Sequence, residues 1–237
     1  MLENFQIQEW DSDFFGFKVV KVLDDFLAEE TELKLESLHK KEAALIYYTS
    51  KESKFAEFDN SFYDVKLVST RVPIIKKMTN LTEIHPNISL YDKLPPDEKL
   101  ISLARSAGKH GRFGTDSRIP KEAFNEIFHH WIINSIKKVL AEEVLVYKEE
   151  GVIVGFATLK TKGNKGYAPL LAVDREYEGK GVSFALMRAI ETRLVQYGCD
   201  YVMSGTQNIN KKAIAIFKRF GTEIQPPEYI YHLWKKN

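Results

Sequence analysis

A short apolar run followed by two closely spaced glycines and a long amphipathic segment constrains the fold of this chain most strongly. The run covers residues 170–173, the glycines are Gly179 and Gly181, and the amphipathic segment ends at Gly198. From Val182 onward, apolar residues recur at every fourth position, which is typical of a helix that packs on a sheet. Because a glycine readily adopts the positive φ of a helix C-cap, Gly198 is expected to end this helix. The stretch therefore predicts a strand, a glycine turn and a helix.

The junction between this turn and the helix predicts an anion-binding site. The first N–H groups of a helix have no partner within it, and the helix dipole places roughly +0.5 charge there. Glycines at the turn let the backbone approach a diphosphate without a Cβ in the way. We therefore expect six consecutive main-chain amides to hold a phosphorylated ligand, namely those of Glu178, Gly179, Lys180, Gly181, Val182 and Ser183.

Two common phosphate-binding motifs do not fit this turn. The chain contains no Gly-x-x-x-x-Gly-Lys-Ser/Thr sequence of a Walker A loop. A dinucleotide-binding fingerprint fits poorly, because Phe184 stands where its third small residue must be. Asp200 lies at about the right distance for a ribose-binding acid, but it precedes the next predicted strand instead of ending it. The ligand is therefore expected to belong to another class.

The composition is that of an ordinary globular protein. Of the 237 residues 44% are hydrophobic and 28% charged, and the net charge is +1. This balance argues against disorder, membrane residence and a broad nucleic-acid-binding surface. The N-terminus lacks a basic start followed by an apolar core, and Cys199 is the single cysteine. We expect a cytoplasmic protein with Cys199 as a buried structural thiol, and no metal, nucleic-acid or membrane partner.

The order of the predicted elements indicates two domains and an α/β (α+β) fold class. Residues 1–85 are predicted to form a smaller α/β half-domain that starts with an irregular aromatic segment. Its helices are expected near residues 30–42 and 51–65. A polar, proline-bearing stretch at 76–98 contains the expected boundary. Residues 86–237 are predicted to form a mixed central sheet with flanking helices.

Several local features of the second domain are predicted. Glu150 and Gly151 should form the turn of a hairpin, and residues 165–173 should form one strand. The glycine-rich loop at 108–120 should be either ordered or mobile. A later helix should be capped by Asn208 or Asn210 and end at Gly221.

Two motifs of this domain resemble those of the GCN5-related N-acetyltransferase (GNAT) family. Residues 176–181 follow the family's acetyl-CoA motif Gln/Arg-x-x-Gly-x-Gly/Ala, with Glu176 in the place of Gln or Arg. The helix Asn210-x-x-Ala213-x-x-x-Phe217-x-x-x-Gly221 is similar to the family's Asn-x-x-Ala-x-x-x-Tyr-x-x-x-Gly helix. The resemblance implies the GNAT fold and acetyl-CoA as co-substrate. Its implied binding residues are Leu171, Ala172, Val173, the six turn residues from Glu178 to Ser183, Asn210, Ala213 and Phe217.

The resemblance also implies direct attack of a neutral amine on the thioester of acetyl-CoA. A backbone N–H near Leu171 or Val173 is expected to bind the oxyanion. Phe217 stands where many relatives have a tyrosine general acid, so either another group protonates the thiolate or the thiolate leaves unaided. Tyr229 and Tyr231 on the last predicted strand are the candidate substitutes.

Further segments resemble the dTDP-fucosamine N-acetyltransferases of this family; they are residues 10–16, 111–120, 128–136 and 229–234. The resemblance implies a nucleotide-linked aminodeoxy sugar as acceptor, with Arg112, Asp116 and Arg118 in the acceptor-binding loop. A solvated, salt-bridged loop is the alternative for these three residues. The alternatives for the whole chain are acetylation of another small amine or amino acid, and a catalytically degenerate domain that binds coenzyme A. A homodimer is left open as the assembly.

Overall fold

The computed structural model describes residues 5–23, 31–53, 59–78 and 81–236. These residues form two compact units. The first consists of the described residues of Met1–Arg71 and Pro226–Asn237, and the second of those of Val72–Gln225. This division differs from the predicted boundary near residue 85, because the last strand of the chain pairs with strands of the first unit.

The described residues form twelve strands and seven helices. The strands are β1 (Phe5–Ile7), β2 (Val19–Val22), β3 (Leu45–Ser50), β4 (Tyr63–Lys77), β5 (Ile88–Leu90), β6 (Glu143–Glu149), β7 (Val152–Lys162), β8 (Lys165–Tyr167), β9 (Leu171–Val173), β10 (Tyr201–Gln207), β11 (Glu223–Ile224) and β12 (Glu228–Lys235). The helices are α1 (Glu9–Phe15), α2 (Thr31–Lys40), α3 (Glu98–Gly108), α4 (Arg112–Thr115), α5 (Lys121–Ile136), α6 (Val182–Gln196) and α7 (Lys211–Arg219), with a 3₁₀ turn at Arg175–Tyr177.

The first unit is a mixed sheet in the order β1-β2-β3-β12-β4. β2 and β3 are parallel, while β12 lies antiparallel between β3 and β4. Parallel neighbours need a crossover connection, and α2 supplies it between β2 and β3. Leu35 and Leu38 of α2 pack with Tyr231 and Leu233 of β12 in a buried apolar cluster. The core of this unit therefore lies between α2 and one face of the sheet.

Two predictions for the first unit have different outcomes. The aromatic segment near the N-terminus was expected to be irregular, but it forms α1, which Gly16 ends at φ 73°. Stacked aromatic rings on that segment, such as Trp10 and Phe14 at 5.1 Å, accompany the helix. The helix predicted near residues 51–65 includes residues 54–58, which lie outside the described residues.

The second unit contains strands in the order β10-β8-β7-β6-β5, and β9 also pairs with β7. β6 and β7 form the predicted hairpin, with Glu150 and Gly151 at φ 49° and 82°. Helix α6 carries the predicted apolar stripe, and Leu186, Ile190 and Leu194 are buried against the sheet. A mixed central sheet with flanking helices, as the sequence predicts, is thereby confirmed.

The predicted ends of α6 and α7 and the predicted burial of the cysteine are confirmed as well. Gly198 follows α6 at φ 77°, and Gly221 follows α7 at φ 78°. Of the two predicted caps, Asn210 caps α7 by accepting a hydrogen bond from the Ala213 N–H at 3.2 Å. Cys199 is a buried free thiol in the core of the second unit, where burial raises its pKa.

Candidate active site

The strand predicted over residues 165–173 is interrupted, and this interruption opens the sheet. β8 pairs with both β7 and β10, whereas among the described strands β9 pairs with β7 alone. The last backbone hydrogen bond to β10 is the one that the Ala168 N–H donates to the Met203 carbonyl at 2.9 Å. Pro169 has no N–H to donate, and the Ala168 carbonyl instead accepts from the Ser204 hydroxyl at 2.7 Å. The chain therefore leaves β10 at Pro169.

The backbone of β9 presents polar groups toward this opening. Hydrogen bonds to β7 lie directly before and after β9. The Thr158 N–H donates to the Leu170 carbonyl, and the Asp174 N–H donates to the Val154 carbonyl. An antiparallel ladder alternates between bonded and non-bonded pairs. In the observed register that alternation gives Leu171 and Val173 the non-bonded positions, with their N–H and C=O groups directed away from β7. Both residues are half-buried.

The turn after β9 has the left-handed backbone that its glycines predict. Asp174 caps the 3₁₀ turn by accepting from the Glu176 N–H at 3.0 Å. Gly179 and Gly181 then adopt φ values of 78° and 88°. A Cβ on either glycine would meet no atom within 4 Å, so backbone conformation, and not crowding by this chain, is what requires glycine there.

Helix α6 begins directly on this turn with its first amides uncapped. The Ala185 N–H donates to the Gly181 carbonyl at 3.0 Å, which is the first bond of the helix, and no side chain caps Gly181. Residues 182–184 therefore present amides at the positive end of a 15-residue helix. A Cβ on Gly155 of β7 would lie 2.9 Å from Val182 Cγ1, so that glycine permits the close approach of α6.

The second predicted motif lies on α7 and is joined to the turn by an ion pair. Lys212 Nζ lies 2.9 Å from Glu178 Oε2, with 82% and 47% of the two side chains exposed. The side-chain oxygen of Asn210 caps α7, so its amide nitrogen is the group left for a ligand. Phe217 and Ala213 are half-buried on the same helix. Glu176, at the unusual motif position, is exposed.

The glycine-rich loop is ordered around the short helix α4. A Cβ on Gly108 would lie 1.8 Å from the Phe128 ring, so this glycine serves close packing between α3 and α5. A Cβ on Gly111 would lie 3.8 Å from Gln207 Nε2, so the loop adjoins the end of β10. His110, next to it, has a pKa lowered mainly by burial.

The three residues predicted to bind the acceptor differ in their surroundings. Asp116 is buried at 3% exposure and accepts from the Arg118 N–H at 3.1 Å. Arg112 lies over the ring of Phe113 at 4.5 Å, and Arg118 is exposed. The structure thus gives Asp116 a role inside the loop, while acceptor binding by all three stays a prediction.

The tyrosines considered as general acids belong to the first unit. Tyr231 is fully buried, and its hydroxyl donates to the Ser53 carbonyl at 2.7 Å. A hydroxyl committed in this way to a core hydrogen bond argues against a proton donor for a leaving thiolate, and the candidate role of Tyr231 stays a prediction. Tyr229 is half-buried and packs against the same apolar cluster, where its candidate role stays a prediction.

An ion pair that neither motif predicts joins the turn to α3. Lys99, in the first turn of α3, pairs with Asp174 at the end of β9. The Lys99 ammonium, followed by the Glu176 N–H, lowers the pKa of the Asp174 carboxyl. The two residues are 75 positions apart, and nothing in their local sequence links them.

A surface pocket of about 290 Å³ lies at the other end of α6. Its lining includes Val139, Leu140 and Tyr197. Since α6 has 15 residues, this pocket is about 20 Å from the glycine turn along the helix. It is therefore separate from the site that the motifs predict.

The described residues contain neither a candidate metal cluster nor a candidate membrane span. No group of three or more His, Cys, Asp or Glu side chains in that part of the chain is arranged to hold a metal ion. None of the helices described is both long and apolar enough to cross a membrane.

Comparison with known proteins assigns the domain that holds this site. Residues 112–222 match the acetyltransferase (GNAT) family. SpsD, a spore coat polysaccharide biosynthesis protein of Bacillus subtilis, is 29% identical over 157 residues, which are 62% of this chain and 54% of SpsD. This chain thus spans about half the length of that curated relative.

Solved structures share the fold. A GCN5-related N-acetyltransferase from Sphaerobacter thermophilus superposes with a TM-score of 0.59 at 14% identity, covering 98% of this chain and 76% of the other. The PaiA N-acetyltransferase of Thermoplasma acidophilum, solved in complex with coenzyme A, gives 0.50 at 20% identity, covering 63% and 99%. Residues 112–222 therefore match an acetyltransferase domain of the GNAT family, and the solved structures share its fold.

Proposed function

We propose that this chain is an acetyl-CoA-dependent N-acetyltransferase that acts on the amino group of a nucleotide-linked aminodeoxy sugar. The observation that carries the proposal is the uncapped N-terminus of α6, which follows two left-handed glycines beside the open edge of β9. A helix N-terminus with exposed backbone amides suits a diphosphate. Family membership of residues 112–222 supports coenzyme A as its source.

The residues around the turn fit coenzyme A. No atom of the described residues lies within 4 Å of a Cβ added at Gly179 or Gly181, so a diphosphate has room to approach the turn. The amides of Glu178 and Lys180 donate to the Arg175 and Tyr177 carbonyls at 3.4 Å, so the amides of Gly179, Gly181, Val182 and Ser183 are the proposed donors. The outward N–H and C=O groups of Leu171 and Val173 suit the amides of the pantetheine arm. Asn210, Ala213 and Phe217 on α7 complete the predicted set. Acetyl-CoA, when bound, supplies the thioester acyl group.

The backbone of β9 is the proposed source of transition-state stabilisation. Attack by the acceptor amine forms a C–N bond and moves charge onto the thioester oxygen before the C–S bond breaks. An N–H of Leu171 or Val173 is fixed by the strand and needs no rearrangement to donate to that oxygen. The proton of the attacking amine passes to water, because an amine with a pKa not far above neutral needs only a weak base.

Departure of the thiolate is proposed to need no protein acid. Phe217 has no hydroxyl, and the hydroxyl of Tyr231 is held by Ser53. A thiol has a pKa of about 8.5, so the thiolate is a tolerable leaving group near neutral pH. The chain's residues therefore contribute binding and oxyanion stabilisation more than proton donation.

The choice of acceptor rests on similarity and on the glycine-rich loop. SpsD is named for polysaccharide biosynthesis, a process that uses activated sugars as donors. The loop holding Arg112 and Arg118 adjoins the end of β10 through Gly111 and Gln207. Arginines there suit the diphosphate of a nucleotide sugar, which they can bind in a bidentate manner.

Binding and turnover should be measured separately. Isothermal titration with coenzyme A and desulfo-coenzyme A tests the cofactor site. Thiol release from acetyl-CoA is then followed with a panel of acceptors: dTDP-4-amino-4,6-dideoxyhexoses, free amino sugars, amino acids and polyamines. We expect saturable release with the nucleotide sugars and little with the rest. Release with another amine class alone would reject the acceptor, and absence of coenzyme A binding would reject the whole proposal.

A degenerate, coenzyme A-binding domain is the second candidate function. Phe217 in place of the usual tyrosine and Glu176 in place of Gln or Arg favour it. Tight binding of coenzyme A with no thiol release across the panel would support this candidate over catalysis.

A further inference from the structure

We propose that Lys99 is a positioning residue, whose ion pair with Asp174 holds the glycine turn in the conformation that binds the cofactor diphosphate. The inference rests on the proposed function, because it concerns the same cofactor site. It adds a residue outside both motifs, on a helix that the motifs do not include.

The base of Lys99 is firmly fixed. The Asp97 carboxylate accepts from the Lys99 N–H at 2.8 Å, and the Asp97 N–H in turn donates to the Tyr91 hydroxyl at 2.7 Å. Tyr91 is buried, and so is Leu100, the next residue of the helix. The first turn of α3, from which the Lys99 side chain extends, is therefore anchored.

Asp174 links this anchor to the strand and to the turn. Its N–H donates to the Val154 carbonyl of β7 at 2.8 Å, and Oδ1 accepts from the Glu176 N–H at 3.0 Å. Oδ2 forms the ion pair with Lys99. The Asp174 side chain is 16% exposed and that of Lys99 is 43% exposed, so the pair is less screened than one fully in solvent.

Beyond Asp174 the turn is held by its own backbone hydrogen bonds and by the exposed ion pair of Glu178 with Lys212. From residue 175 to residue 181 all but Tyr177 are exposed, and Tyr177 packs against the core. Two of the exposed residues, Gly179 and Gly181, have the largest conformational freedom of any residue type. Binding a diphosphate to a turn that must first be ordered loses affinity, so a bond that fixes the start of the turn increases affinity by pre-organisation.

Two explanations for an effect of Lys99 on coenzyme A affinity predict different affinities for the Asp174→Asn variant. If Lys99 only neutralises a carboxylate near the diphosphate, Asp174→Asn should bind coenzyme A as tightly as the wild type or more tightly. If the ion pair positions the turn, Asp174→Asn should bind more weakly, although its amide oxygen can still cap the Glu176 N–H. Lys99→Met should weaken binding in both cases.

The test is titration of coenzyme A into the wild type and into Lys99→Met, Lys99→Arg, Asp174→Asn and the Lys99→Met/Asp174→Asn double variant. We expect each single loss to weaken binding about five- to tenfold, the double variant to be no weaker than the singles, and Lys99→Arg to stay within about threefold of the wild type. The control is Lys76→Met, which removes the 2.7 Å ion pair with Glu191 of the same unit and should leave the affinity unchanged. Thermal unfolding of each variant checks that it is folded.

Three outcomes would overturn the proposal. The pair has no role in binding if Lys99→Met and Asp174→Asn both bind coenzyme A within twofold of the wild-type affinity. If Asp174→Asn binds more tightly than the wild type, Lys99 acts only by neutralising the carboxylate. A loss of affinity as large in Lys76→Met would show a general effect of instability. A wild type that does not bind coenzyme A would reject the proposed function itself, and that result is distinct from the other three.

Discussion

The ammonium of Lys212 lies 2.9 Å from a carboxylate oxygen of Glu178, so an ion pair joins the glycine turn to the first turn of α7. Glu178 directly precedes Gly179, which places a negative charge where the diphosphate is proposed to bind. The pair is therefore expected to oppose the proposed binding in two ways, because the carboxylate repels an anionic ligand and also occupies a lysine that could attract it.

Glu178→Gln is expected to bind coenzyme A about two- to fivefold more tightly than the wild type at low salt. The gain should shrink as salt is raised, since both side chains are largely exposed. Isothermal titration at two ionic strengths measures it. Lys212→Met is the companion variant and should bind more weakly; weaker binding by Glu178→Gln would contradict this interpretation.

Gly181→Ala should reduce the affinity for coenzyme A and also destabilise the protein by about 1 kcal/mol, because alanine disfavours the observed φ of 88°. Gly198→Ala is a matched control at the other end of α6, with φ 77° and no atom within 4 Å of the added Cβ. Chemical unfolding should show a similar loss for both variants, whereas titration should show weaker binding for Gly181→Ala alone. Equal affinities would argue against the turn as the diphosphate site.

Phe217→Tyr is expected to speed thiol release about two- to tenfold near pH 6.5, because the added hydroxyl can protonate the leaving thiolate. Near pH 9 the thiolate is stable without a proton, so the gain should disappear. Rates with the acceptor found in the amine panel measure this. An unchanged rate at both values would show that thiolate departure does not limit turnover.

Tyr231→Phe should lower the free energy of unfolding by about 1–2 kcal/mol and leave turnover unchanged. The variant deprives the Ser53 carbonyl of its donor at 2.7 Å, within the core of the first unit. Chemical unfolding and thiol release together separate the two effects. A folded variant that lost more than tenfold in rate would support the candidate role of Tyr231, and Tyr229→Phe tests the second tyrosine in the same assay.

Asp174 should contribute to stability in a pH-dependent way. The Lys99 ammonium and the Glu176 N–H hold the pKa of this carboxyl below its ordinary value, so its contribution is fully present above the unfolded pKa of about 3.9. It is lost as the pH falls through the lower, folded-state pKa. The stability difference between wild type and Asp174→Asn, from urea unfolding, should be largest near neutrality and shrink below about pH 4. A difference that grows in acid would contradict this sign.

Features set by neighbouring residues were predictable. The glycines of the turn, the Asn210 cap and the stripe on α6 depend on residues within one or two helical turns of each other, so their spacing carries the information. The split between β8 and β9 was missed because residues 167–173 form one run without a charged residue. Pro169 was the readable signal, since it removes one donor from the ladder to β10.

The remaining features depend on residues that are distant in sequence. The sequence by itself determined the strand, glycine turn and helix at which an anion site is predicted, together with the motifs that indicate the family. Only the tertiary structure decided that β12 joins the first unit, that Tyr231 is committed to a core hydrogen bond, and that Lys99 meets Asp174. Such pairings arise when separate elements pack together, and no local periodicity encodes which side chains then come into contact.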